Sequence, residues 1–137
     1  MQKKNNPFAY FKTTHDVTDK VENIMSSEAE RSGQGDPFWT AAMSSLLKAL
    51  FLYVWEKEPE QNHSYTTVDK YLDKVFDKNG GESETDTLFN AWKNENPEET
   101  AVLCYDVFRL VPQKTAMAVV MCARTLLVPY VAGEIGR

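Results

Sequence analysis

A chain of 137 residues that is 42% hydrophobic, 26% charged and 12% aromatic has the composition of one globular domain with a single core, and is neither a disordered segment nor two domains. Its formal net charge of -5 disfavours broad binding to duplex nucleic acid, because a phosphate-binding surface needs an excess of cations to displace counterions. The first twenty residues are polar and charged rather than signal-like, and no stretch approaches the roughly 18 apolar residues of a membrane span.

Residues 1–13 read as a strap. Pro7 holds Asn6 in extended geometry and removes a backbone donor, so Phe8, Tyr10 and Phe11 act as aromatic anchors rather than as a helix face. Behind Thr14 as a cap, Val17, Val21, Ile24 and Met25 recur at helical spacing, giving a first helix to about Glu28 that the run from Ser32 to Gly35 breaks. Asp36 as cap and Pro37 at the first helical position then open a long helix to about Lys57. Its apolar residues, including Ala42, Leu46, Leu47, Leu50, Phe51 and Val54, cover much of its circumference, so it is the central helix, and Pro59 closes it. Phe38 and Trp39 at its start are read as core, with base stacking as the alternative.

Thr66 followed by Asp69 resembles a capping box for a third helix through Val68, Tyr71, Leu72, Val75 and Phe76, which Asn79-Gly80-Gly81 ends. A short fourth helix passes through Leu88, Phe89 and Trp92. Asn96-Pro97-Glu98-Glu99 supplies cap, proline and acidic first turn for a fifth helix through Val102, Tyr105 and Phe108. Pro112 opens a sixth, with Ala116, Val119, Val120, Ala123 and Leu127 on its inner face, and Pro129 stops it. The expected fold is all-α: a compact bundle of about six helices around a long central one, occupying residues 14–130, with residues 131–137 as a tail. No repeat of twenty to fifty residues is visible.

Chemistry is sparse. No phosphate-binding loop of the G-x-x-x-x-G-K-[ST] form occurs, so the chain is not a nucleotide hydrolase by itself. The two histidines, His15 and His63, lie far apart, and no metal or other cofactor is expected. The stretch from Asp77 to Leu88 departs from a calcium loop at its fifth, sixth and twelfth places. Cys104 and Cys122 fall in apolar helical patterns and read as reduced core residues, consistent with a cytoplasmic setting. The remaining signal is acidic. Glu56, Glu58 and Glu60 end the long helix, Glu82, Glu84 and Asp86 line the next loop, and Glu95, Glu98 and Glu99 begin the fifth helix. Such clusters ordinarily form a solvated rim. The functional alternative is a docking face that steers a basic partner through attraction that weakens as salt rises.

The order Asn6-Pro7-Phe8-Ala9-Tyr10-Phe11, then Asp16-Val17 and an acidic helix, then Asp36-Pro37-Phe38-Trp39 opening a long aromatic-rich helix, followed late by Lys114-Thr115-Ala116, resembles the all-α domain of TraG/TraD-type type IV secretion coupling proteins of Gram-positive conjugative elements. The resemblance spans roughly Asn5 to Pro129. It implies a non-catalytic insertion within a hexameric, membrane-anchored ATPase, facing the cytoplasm, monomeric in isolation and without membrane contact of its own. It further implies that the domain receives a relaxase or relaxosome accessory protein during DNA transfer. A rival expectation has Arg109, Lys114 and Arg124 contacting single-stranded DNA, and a third makes the domain a spacer that assembles hexamer subunits.

Overall fold

The computed structural model describes residues 6–32 and 37–135, with residues 27–32 as backbone only. The expected Asp36 cap and the break at residues 33–35 lie outside the described residues, as do Met1, Gly136 and Arg137. Among the described residues the chain forms six α-helices and no strand: α1 (Thr14–Ser32), α2 (Pro37–Lys57), α3 (Tyr65–Asp73), α4 (Glu84–Glu95), α5 (Thr100–Arg109) and α6 (Gln113–Ile135). The all-α expectation therefore holds. Helix α1 runs past Glu28 to Ser32.

Helix α2 is central because it is apolar on every side. Leu46, Leu47, Ala49, Leu50, Phe51, Leu52 and Val54 are all fully buried, which no single partner helix can achieve. Helix α5 covers it most extensively, with α1, α6 and α3 on its other flanks, and α3 in turn lies against α6. Burying each such leucine or phenylalanine stabilises the fold by about 1.5–3 kcal/mol. The strap makes a 3-10 turn, Pro7–Tyr10, whose first free amide, that of Phe8, is capped by the Asn6 side chain at 3.1 Å. That turn stacks buried Phe8 on Phe51 of α2 with ring centroids 5.6 Å apart.

Several helix ends differ from their sequence expectation. At α1 the cap is Thr13, not Thr14. Its hydroxyl accepts from the Asp16 amide, and the Asp16 carboxylate accepts from the Lys12 and Thr13 amides. At α3 the cap is Ser64, which accepts from the Thr67 amide, while Asp69, the expected partner of Thr66, is held by Arg124 of α6. Asn96 caps the end of α4 instead of the start of α5. Asn96-Pro97-Glu98-Glu99 closes as a turn with the Glu99 amide on the Asn96 carbonyl, the residue pattern of a β-turn as much as of a helix start. Helix α3 ends at Asp73, before Val75 and Phe76, and Gly80 takes the left-handed φ of 81° that its loop requires.

Pro129 does not stop α6. The helix continues to Ile135, so residues 131–135 of the expected tail are helical. A proline inside a helix removes one backbone bond and crowds the preceding turn, and it is tolerated when outside contacts hold the following residues. Here Tyr130 stacks on Tyr65 at 4.7 Å, and the Glu134 carboxylate accepts from the amides of Tyr65 and Thr66, both at 2.8 Å.

Candidate docking surface

The nine acidic candidates divide into two sets once their neighbours are known. Asp86 belongs to the interior set. It completes a capping box with buried Ser83 at the start of α4, and its other oxygen accepts from the hydroxyl of fully buried Tyr105 at 2.7 Å. Arg109 lies 3.9 Å from the same carboxylate and its guanidinium covers the Tyr105 ring. Burial, reinforced by that bond, pushes the Tyr105 phenol well above its ordinary range. Glu58 is engaged likewise. It accepts from the Tyr71 hydroxyl and the Asn62 side chain, and these bonds hold its carboxyl below the usual range near 4.5. The Glu58 carbonyl accepts from His63 Nε2 at 2.8 Å. Glu82 accepts from the Thr87 hydroxyl, and Glu84 pairs with Lys74 at 3.3 Å on the surface.

The second set gathers where α2 ends, α4 ends and α5 begins. Glu56 sits close enough to Glu99 for like-charge repulsion, and burial, followed by that repulsion, raises its carboxyl above the ordinary range. Glu95 lies 4.0 Å from Lys57, whose ammonium also stands 4.8 Å over the Trp92 ring. Glu98 is exposed and Glu99 half-buried at the α5 start, where the Glu99 side chain makes no capping bond. Glu95 and Glu56 thus lie within electrostatic reach of Lys57 at this pole, Glu99 lies within reach of Glu56, and Lys12 borders the adjoining hollow beside Trp55 and Glu56. Glu60 is exposed on the short turn Glu60–Asn62 that follows. Glu84 and Glu95 mark opposite ends of α4, about 16 Å apart along its axis. The acidic residues do not form one face.

The cationic candidates fare differently from one another. Arg109 is bracketed by Asp86 and Asp106, and Arg124 grips Asp69 and Asp73 with bonds of 2.7–3.1 Å. Lys114 stands exposed on the first turn of α6. The structure does not bring the three together into a basic groove.

Three other residues depart from their expected places. Phe38 is 57% exposed, so the core reading holds only in part for its neighbour Trp39, which packs against the core. Cys104 is half-buried, and burial pushes its thiol up, but Cys122 is exposed and not a core residue. Among the described residues no group of His, Cys, Asp or Glu is placed to hold a metal ion.

The periodicity also concealed apolar surface. Leu103, Val107 and Leu110 point outward from α5 and its end, and Met117, Met121 and Val128 from α6, with Met121 70% exposed. By length and composition α2 and α6 are each apolar enough to cross a membrane, contrary to the expectation from the sequence. The apolarity of α2 is explained by its enclosure in the core. That of α6 is not, since only 28% of its most apolar window is buried. Comparison of the chain with protein-family models, with curated proteins and with solved structures returned no match.

Proposed function

We propose that this chain is a substrate-recognition domain of a TraG/TraD-type type IV secretion coupling ATPase, a non-catalytic module that docks a relaxase or relaxosome accessory protein in conjugative DNA transfer. The observation that carries the reading is the acidic pole of Glu56, Glu95, Glu98 and Glu99, whose carboxylates, among the described residues, accept no side-chain hydrogen bonds of the kind that engage Asp86 and Glu58, with Lys57 beside Glu95. Uncompensated charge of one sign on a surface raises the association rate of an oppositely charged partner and fixes its orientation. The test is calorimetric titration with the cognate relaxase at two salt concentrations. Reversal of Glu98 and Glu99 to lysine should abolish most of the salt dependence, whereas Glu84→Lys should leave it. Equal affinity in all three proteins would refute the acidic-pole reading.

The uncovered apolar residues of α5 and α6 favour a second reading, in which the domain helps to assemble motor subunits. It predicts concentration-dependent self-association in sedimentation equilibrium, lost in Met121→Glu. Single-stranded DNA contact is the weaker alternative, because Arg109 and Arg124 already hold carboxylates.

A further inference from the structure

We infer that the last turn of α6, beyond Pro129, is a conformational latch that opens and closes as a unit on the start of α3. The inference is independent of which partner the domain serves.

The first amides of a helix have no acceptor within it, and α3 meets this need from two sources. Ser64 Oγ accepts from the Thr67 amide, as an ordinary cap does. The amides of Tyr65 and Thr66 are instead satisfied by Glu134, which lies 69 and 68 residues away in sequence. The same carboxylate accepts from the Thr66 hydroxyl at 2.6 Å. A carboxylate here is favoured by the partial positive charge of the helix start.

The turn that delivers Glu134 is weak on its own terms. Pro129 has no amide to give the Thr125 carbonyl, and the Thr125 hydroxyl bonds back to the Met121 carbonyl, an arrangement that loosens and bends helices. Gly133 adds a poor helix former, and Ile135 is 73% exposed. Val131 packs only partly against the core. The turn is therefore held chiefly by two residues on one face, one turn apart: Tyr130, stacked on Tyr65, and Glu134. Both anchors grip Tyr65, and Glu134 holds Thr66 as well, so losing one weakens the seat of the other. That is the condition for opening as a cooperative unit rather than by fraying residue by residue.

Opening would uncover more than the turn. Tyr65, 4% exposed when the latch is closed, carries the contact onward, because its ring packs edge-on against Phe51 of α2, on which Phe8 of the strap stacks. The groove of about 490 Å³ lined by Asn6, His63, Tyr65, Thr66, Tyr130 and Glu134 exists only with the latch closed. In the open state two α3 amides and the Tyr65 ring are left without their partners.

Native-state hydrogen exchange by NMR on the whole chain tests this, read at the amides of residues 131–135, whose acceptors lie within α6 itself. These amides should exchange at least tenfold faster than those in the interior of α2. Glu134→Ala should accelerate them roughly another tenfold, with α2 and α5 unchanged, and Tyr130→Leu should do the same. Pro129→Ala, which restores the missing backbone bond, should slow them. The inference is overturned if Glu134→Ala leaves residues 131–135 unaffected, or accelerates α2 and α5 by the same factor. It is equally overturned if wild-type exchange of the turn matches that of α2.

Discussion

The two ends of α4 carry carboxylates of the same kind in opposite conditions. At its start, Asp86 is surrounded by donors: the Ser83 amide, the Tyr105 hydroxyl and, at longer range, Arg109. At its end, Glu95 lies 4.0 Å from Lys57, Glu98 is exposed, and Glu56 faces Glu99, where burial and that like charge raise its carboxyl. The contrast shows that an acidic residue in a helix connection is a structural part where the fold brings a donor to it, and an available surface charge where the fold brings only another acid. Counting charges along the chain cannot make that distinction.

The largest expected effect breaks the structured end. Asp86→Ala leaves the buried Tyr105 hydroxyl without its acceptor and removes half of the α4 capping box, so it should cost about 3 kcal/mol of stability, measured by urea unfolding. A loss under 1 kcal/mol would mean that the start of α4 is no more structural than its end. The opposite substitution at the other end, reversal of Glu98 and Glu99 to lysine, should leave stability within about 0.5 kcal/mol and, under the proposed function, weaken affinity for a relaxase by roughly tenfold, about 1.4 kcal/mol of binding.

Smaller effects sharpen the comparison through pH. Glu58→Gln should cost roughly 1 kcal/mol at neutral pH, because the amide accepts less strongly from Tyr71 and Asn62. The folded-state pKa of Glu58 lies below its unfolded value, so the stability it contributes is complete above about 4.5 and disappears as pH falls through the lower, folded value. The difference between wild type and Glu58→Gln should therefore close in acid, which urea midpoints at pH 7 and pH 3 will show. Glu56 has the reverse sign. Its folded pKa lies above the unfolded one, so its unfavourable charge is absent in acid and appears as pH rises through the folded value. Glu56→Gln should consequently stabilise the protein at pH 7, by only about 0.3 kcal/mol because the group is largely solvent-screened, and should have no effect near pH 3. Destabilisation by Glu56→Gln at neutral pH would mean that this pole, too, is internally compensated.

What was legible in advance depended on how local the cause was. Asn6-Pro7-Phe8 predicted an anchored strap, and Phe8 is buried against α2. The Thr66–Asp69 pairing was misread because Asp69 had a stronger suitor in Arg124, 55 residues later, and no local pattern announces it. Ser83 with Asp86 does carry a local capping-box pattern that would have located the start of α4, and its significance for the candidate site lay in the Tyr105 hydroxyl, which it does not. Met117, Met121 and Val128 were invisible as surface because apolar residues all round a helix look alike whether or not a neighbour covers them.

By itself the amino-acid order determined the helical class, the six segments and the centrality of α2, since a 3.6-residue apolar period and the proline and glycine stops act within a few residues of backbone. Only the tertiary structure decided which carboxylates are structural and which are available, that Pro129 is crossed rather than obeyed, and that Glu134 caps a helix 68 residues before it. The reason is physical. Helix periodicity is a property of neighbours along the chain, whereas a hydrogen-bond donor, a low-dielectric wall or a like charge reaches a side chain through space, from residues whose distance in sequence carries no signal.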